Sequence, residues 1–89
     1  MTDQASFEKA QIDVKNLNAK PSNDELLKLY AFFKQAGNGD VSGSRPGMLK
    51  VKDRAKFDAW AKIKGTSNSD AQGEYVTFVN SLISNYGKK

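Results

Sequence analysis

The residues able to do chemistry cluster between Tyr30 and Trp60. Tyr30, Phe33 and Lys34 lie on an aromatic-rich stretch, Arg45-Pro46-Gly47-Met48-Leu49 follows in a loop, and Lys52, Arg54 and Lys56 then alternate with apolar residues. Aromatic faces stack on planar rings, while ammonium and guanidinium groups form charge-assisted hydrogen bonds with phosphate. Such a set can capture, without covalent change, a ligand carrying both a ring and phosphates. Reaction chemistry is poorly provided for. The chain has no Cys and no His, which removes thiolate nucleophiles, disulfides, and the commonest acid/base group and metal ligands. Its ten Asp and Glu are scattered, and no spacing pairs two of them as an acid and a base. We therefore expect no catalytic residue, no metal and no enzyme. No glycine-rich phosphate loop of the Walker or dinucleotide type occurs, so the glycines at 37, 39 and 43 read as loop punctuation.

Charge placement sharpens this reading. From Arg45 to Lys64 seven cations stand against Asp53 and Asp58, so a fifth of the chain carries +5 of a net +4 and the remainder sits at −1. A local concentration of this kind points to an anionic partner, although a solvated helix face carrying lysines reads the same way. Eighty-nine residues make one domain spanning 1–89, near the size at which a single core suffices. No apolar run approaches the roughly 18 residues of a membrane span, and Met1-Thr2-Asp3-Gln4 lacks a signal pattern, so a monomer in the cytoplasm is the expectation.

The elements that must position these residues read as four helices. Phe7, Ala10, Val14 and Leu17 form an amphipathic stripe over about Asp3 to Asn18, with Asp13 off it and Ile12 away from it, as either a surface residue or the lining of a groove. Lys20-Pro21 interrupts, and Ser22 with Glu25 forms a capping box opening a second helix from about Asn23 to Ala36. In that helix Leu26, Leu29, Phe33 and Ala36 make one row, and Leu27, Tyr30 and Lys34 make a neighbouring row that finishes on a lysine. A row of that kind either borders a pocket or is a core rim with a snorkelling lysine. The breaker-rich stretch from Gly37 to Lys50 is long enough, at up to about 45 Å, to return along a helix and let helices two and three run parallel. Met48 and Leu49 predict that this loop is pinned to the core. A third helix is expected over about Asp53 to Lys64, with Trp60 in the core and Lys52 and Lys56 on one edge, closed by Gly65. Ser67 opens a fourth, from Asn68 to about Tyr86, with Ala71, Tyr75, Phe78, Val79, Leu82 and Tyr86 on its buried stripe.

Leu29-Tyr30-Ala31-Phe32-Phe33-Lys34-Gln35-Ala36, Gly39-Asp40, Arg45-Pro46-Gly47-Met48-Leu49, Lys56-Phe57-Asp58-Ala59-Trp60 and Lys64-Gly65-Thr66-Ser67, followed by Ala71 and Tyr75, resemble the acyl-CoA-binding protein family across nearly the whole chain. The resemblance implies an all-α, four-helix bundle in up-down-down-up order. It implies fatty acyl-CoA as ligand and no cofactor. Tyr30, Lys34 and Lys56 would hold the 3′-phosphate, Phe33 would stack on adenine, Tyr75 would contact the pantetheine and thioester, and Lys15 and Lys20 would border the same mouth. Leu26, Leu27 and Ala55 would contribute to an apolar groove for the acyl chain. Acyl-CoA-using enzymes and membrane surfaces follow as transient partners. The family commonly has tyrosine at the place of Phe33 and tryptophan at that of Phe57, so stacking is kept while one hydroxyl is absent. From the residues alone, two rivals remain: a basic helical module that binds nucleic acid, and one that meets an acidic protein partner.

Overall fold

The computed structural model describes residues 4–89 and forms them into α1 (Gln4–Val14), α2 (Asn23–Asn38), α3 (Val51–Ala61) and α4 (Asn68–Tyr86). Asp3, the expected start of the first helix, lies outside the described residues. The predicted caps form. Ser22 is extended, its Oγ accepts from the Glu25 N–H at 3.2 Å, and Glu25 Oε1 accepts from the Ser22 N–H at 2.9 Å. Ser67 Oγ accepts from the Asp70 N–H at 3.0 Å in the same manner at the start of α4. These bonds satisfy amide donors that the first helical turn leaves without carbonyl partners.

Side-chain contacts set the helix directions. Lys56 lies over Tyr30 and Lys34 over Trp60, so α2 and α3 advance together and are parallel. Tyr86 donates its hydroxyl to Glu25 at the start of α2, and the Thr66 carbonyl meets Gln35 near its end, so α4 runs antiparallel to α2. Gln4 meets Gln72, Phe7 meets Tyr75 and Leu17 pairs with Lys88, so α1 runs with α4. The result is an up-down-down-up four-helix bundle in which α2 packs on both α3 and α4, and α1 packs on α4. Its Cα atoms span 37 × 28 × 15 Å, a flattened shape.

The core lies between α1, α2 and α4. Phe7, Ala10, Leu29, Phe32, Ala71 and Tyr75 are buried, and Val79 and Leu82 are wholly enclosed. Burying a side chain of that size contributes about 1.5–3 kcal/mol. Every α3 residue keeps part of its surface exposed, so α3 is held largely through α2.

Several expectations are corrected. α1 ends at Val14 instead of Asn18, because the Lys15 and Asn16 amides bond back three residues to Ile12 and Asp13 and tighten the chain into a turn. Leu17 is nonetheless buried. The Asn18 N–H donates to the Gly87 carbonyl at 2.9 Å and the Lys89 N–H to the Asn16 carbonyl at 2.8 Å, which clamps the end of α4 to the first connection. Gly87 has φ +77°, and a Cβ there would come within 2.7 Å of the Asn18 side chain. Asp13, read as off the stripe, is buried between Lys9 at 2.7 Å and Lys88 at 3.4 Å. α2 continues to Asn38, and α3 starts two residues early and stops at Ala61, with a turn carrying the chain on to Gly65. Met48 and Leu49 are not pinned to the core. They are 80% and 98% exposed, because the Lys50 N–H closes a turn onto the Gly47 carbonyl and leaves both at its apex. Arg45 and Asp58 hold this connection instead, through two hydrogen bonds of 2.8 and 2.6 Å.

Stability is expected to depend on pH from the acid side. The Lys9 ammonium holds Asp13 below the ordinary 3.8, the Tyr86 hydroxyl holds Glu25 below 4.5, the Gly65 amide holds Asp40 down, and the Arg45 guanidinium holds Asp58 down. A depressed folded-state value adds stability above the unfolded-state value, and that stability is lost as pH falls through the folded one. Urea midpoints should stay level from about pH 7 to about pH 5 and drop below about pH 4, with a shallower drop in Asp13→Asn.

Candidate functional site

One face of α2 forms the floor. Leu26, Tyr30 and Phe33 recur at helical spacing along it, and two clefts meet across Leu26 and Tyr30. The first, of about 330 Å³, lies between the starts of α2 and α3 and is lined by Lys20, Leu26, Leu27, Tyr30, Ala55 and Lys56 together with Asn23, Val51 and Lys52. The second, of about 310 Å³, lies toward α1 and α4 and is bordered by Val14, Lys15, Pro21, Leu29, Phe33 and Tyr75. Each lies in the size range of small-ligand sites, and each is mainly apolar with cations on its rim.

Aromatic geometry explains why Phe33 is available. Phe7 and Tyr75 meet edge to face with centroids 5.3 Å apart, and Phe33 lies over both at 6.3 Å. Phe7 and Tyr75 are buried, whereas Phe33 is 42% exposed and offers its outer face. The row assigned to the core is thus shifted: Ala31, Phe32 and Gln35 are buried, and Phe33 stands at the rim. Tyr75 is deep enough that burial pushes its hydroxyl above the ordinary phenol value.

The two lysines rest on rings. Lys56 Nζ sits 5.5 Å from the Tyr30 ring centroid, and Lys34 Nζ sits 5.4 Å from that of Trp60. An aromatic face attracts a cation by about 0.5–1 kcal/mol at an exposed site without neutralising it. Among the described residues, the ion pairs join Asp13 to Lys9 and Lys88, and Arg45 to Asp58. Lys34 and Lys56 are in none of these pairs, whereas Arg45, counted in the basic run, is already matched. The same geometry corrects Trp60, which is half-buried and not a core residue: its Nε1–H donates to Gln35 Oε1 at 3.0 Å and to the Gly39 carbonyl at 2.9 Å, fixing the indole beneath Lys34.

Seven of the eight residues expected at the site, namely Tyr30, Phe33, Lys56, Tyr75, Lys15, Lys20 and Leu27, line the two clefts. Lys34 stands one helical turn beyond Tyr30, off the clefts and on Trp60. Val51 and Asn23 also line the first cleft: a third helix expected from Asp53 leaves Val51 outside it, and only the approach of α3 reveals the place of Asn23. The alternation of apolar and basic residues after Lys50 was the available signal for Val51. Among the described residues no group of three or more carboxylates gathers where a metal could be held.

The fold and this face together define a helical binding protein. The family described as Acyl CoA binding protein matches residues 4–79. The chain is 51% identical over 82 residues to Acyl-CoA-binding protein homolog 1 of Caenorhabditis elegans, covering 92% of this chain and 95% of that protein. It is 50% identical over 80 residues to the Acyl-CoA-binding protein homolog of Drosophila melanogaster, covering 90% and 93%. The crystal structure of Oryza sativa Acyl-CoA-Binding Protein 2 superposes with a TM-score of 0.87 at 39% identity, over 92% of this chain and 91% of that one. The chain belongs to the acyl-CoA-binding protein family.

The two aromatics of the second cleft should separate on substitution. Phe33→Ala is expected to lower stability by about 1 kcal/mol, the scale of one partly exposed aromatic contact. Tyr75→Ala, at 5% exposure, should lower it by about 3–5 kcal/mol. Urea unfolding of both variants at equal slope checks the difference.

Proposed function

We propose that the protein binds medium- to long-chain acyl-CoA esters reversibly, carries and buffers them, and supplies them to acyl-CoA-using enzymes, with no bond made or broken. The observation that supports this reading most is the continuity of two unlike surfaces. Lysines held on aromatic rings adjoin clefts floored by Leu26 and Tyr30, so one amphiphile can place its phosphates and its chain on the same face.

In this reading Lys34, Lys56 and Tyr30 take the ribose 3′-phosphate, and Phe33 stacks on adenine. Tyr75 lies along the pantetheine and thioester, Lys15 and Lys20 guard the mouth, and Leu26, Leu27 and Ala55 take the acyl chain. A charged hydrogen bond contributes about 1.5–3 kcal/mol, base stacking about 1–3 kcal/mol, and chain burial up to about 0.8 kcal/mol per methylene. Neither head nor tail alone suffices: free CoA lacks the apolar term, and free fatty acid lacks the charged one.

Calorimetric titration with palmitoyl-CoA, CoA, palmitate and a short single-stranded RNA in one buffer tests this. Tight one-to-one binding of palmitoyl-CoA is expected, with CoA much weaker and RNA silent. No heat with palmitoyl-CoA and salt-sensitive binding of RNA would overturn the reading. Lys56→Ala should weaken palmitoyl-CoA about ten- to a hundredfold at an unchanged melting temperature, and Tyr30→Phe should weaken it less. Unaltered affinity in Lys56→Ala would remove that lysine from the site.

A further inference from the structure

The turn that opens α3 displays its apolar side chains outward. Gly47 and Lys50 close it through a 3.0 Å backbone hydrogen bond, so Met48 and Leu49 occupy its two central positions, 80% and 98% exposed. Central turn positions usually carry Gly, Asn, Asp or Pro. Val51, the first residue of α3, adds a third apolar side chain at 70% exposure. Met48 and Leu49 bury little against the fold, and Arg45 and Asp58 hold the connection. Contiguous apolar side chains on a small basic protein mark a surface that something else covers.

The surroundings select what covers it. Lys50, Lys52, Arg54 and Lys56 follow the turn within about two helical turns, against Asp53 alone, and Lys20 lines the same cleft as Lys52 and Lys56. An apolar tip followed by a run of cations matches the boundary of an anionic bilayer, where side chains enter the acyl region and ammonium groups stay with the headgroups. Among the described residues no helix is long and apolar enough to cross a membrane, so attachment would be peripheral.

We propose that the Met48-Leu49 turn, with Val51 and the cations that follow it, docks the protein on an anionic lipid bilayer. Val51 and Lys52 belong to both the docking surface and the first cleft, so docking turns the mouth between Leu27 and Ala55 toward the lipid. This inference rests on the acyl-CoA reading for its purpose. An acyl chain leaving the bilayer then enters the groove beside the turn and avoids full exposure to water.

Sedimentation with phosphatidylcholine vesicles, with and without phosphatidylserine, tests the surface in the absence of acyl-CoA. The parent is expected to bind vesicles containing phosphatidylserine and to lose that binding as salt rises, each cation near the surface contributing about fivefold. Met48→Ser with Leu49→Ser should lower vesicle partitioning at least about tenfold, because both side chains leave the lipid. The same double variant should titrate palmitoyl-CoA in vesicle-free buffer like the parent, since neither residue lines a cleft, and should melt like the parent. Transfer of palmitoyl-CoA from vesicles should quicken with vesicle concentration for the parent and not for the variant. Equal partitioning of parent and variant, or no preference for phosphatidylserine, overturns the proposal. Failure of palmitoyl-CoA to bind in vesicle-free buffer would instead overturn the acyl-CoA reading, whatever the vesicles show.

Discussion

The bundle and its site both depend on the side-chain amide of Gln35. It is wholly enclosed on α2 and bonded in three directions: its Nε2 donates to the Thr66 carbonyl at 2.7 Å and to Asp40 Oδ1 at 2.9 Å, and its Oε1 accepts from the Trp60 indole. A buried amide left without partners is costly, so the α2–α3 connection, α3 and the turn before α4 must all arrive in register for α2 to bury it. Asp40 extends the knot by accepting from the Gly65 N–H at 2.7 Å. Among the described residues no buried side-chain polar atom is left without a partner, and this network is where that condition is hardest to meet.

From that constraint the site follows. Two parallel helices without a tight hairpin between them need something other than the loop to set their register. Gln35 does so by fixing Trp60, and Trp60 in turn carries Lys34 on its face. One turn earlier on both helices Lys56 comes to rest on Tyr30. Lys34 and Lys56 are thus spaced by the same packing that sets the α2–α3 register. The apolar clefts exist because α3 leans on α2 alone, leaving Leu26 and Leu27 only half covered.

A division of stability accompanies this arrangement. Phe7, Leu29, Phe32, Tyr75, Val79 and Leu82 make a close-packed body from α1, α2 and α4, while α3 and its preceding turn are attached by a polar knot and a surface ion pair. The face that carries the two clefts is the less enclosed one, and elements of low local packing are those that open most readily. Met48 and Leu49 lie at the extreme of that gradient.

Much was legible in the amino acids alone. Ser22 with Glu25 and Ser67 with Asp70 announced two helix starts through local hydrogen-bonding geometry, and the stripe through Ala71, Tyr75, Val79 and Leu82 announced a buried face through its period. The resemblance to the family also pointed to Tyr30, Phe33 and Lys56, which the structure brings to the clefts, and to Lys34, which lies one turn beyond them. The tertiary structure decided what depends on partners remote in sequence: that Gln35 and Asp13 are buried, that Phe33 faces outward while Phe32 faces inward, that Trp60 is a donor at the rim, and that Arg45 is matched. Periodicity reports only which side chains share a face. Whether that face meets a helix, a ligand or water is set by what packs against it, and for Met48 and Leu49 their place at a turn apex outweighs the apolar character that predicted burial.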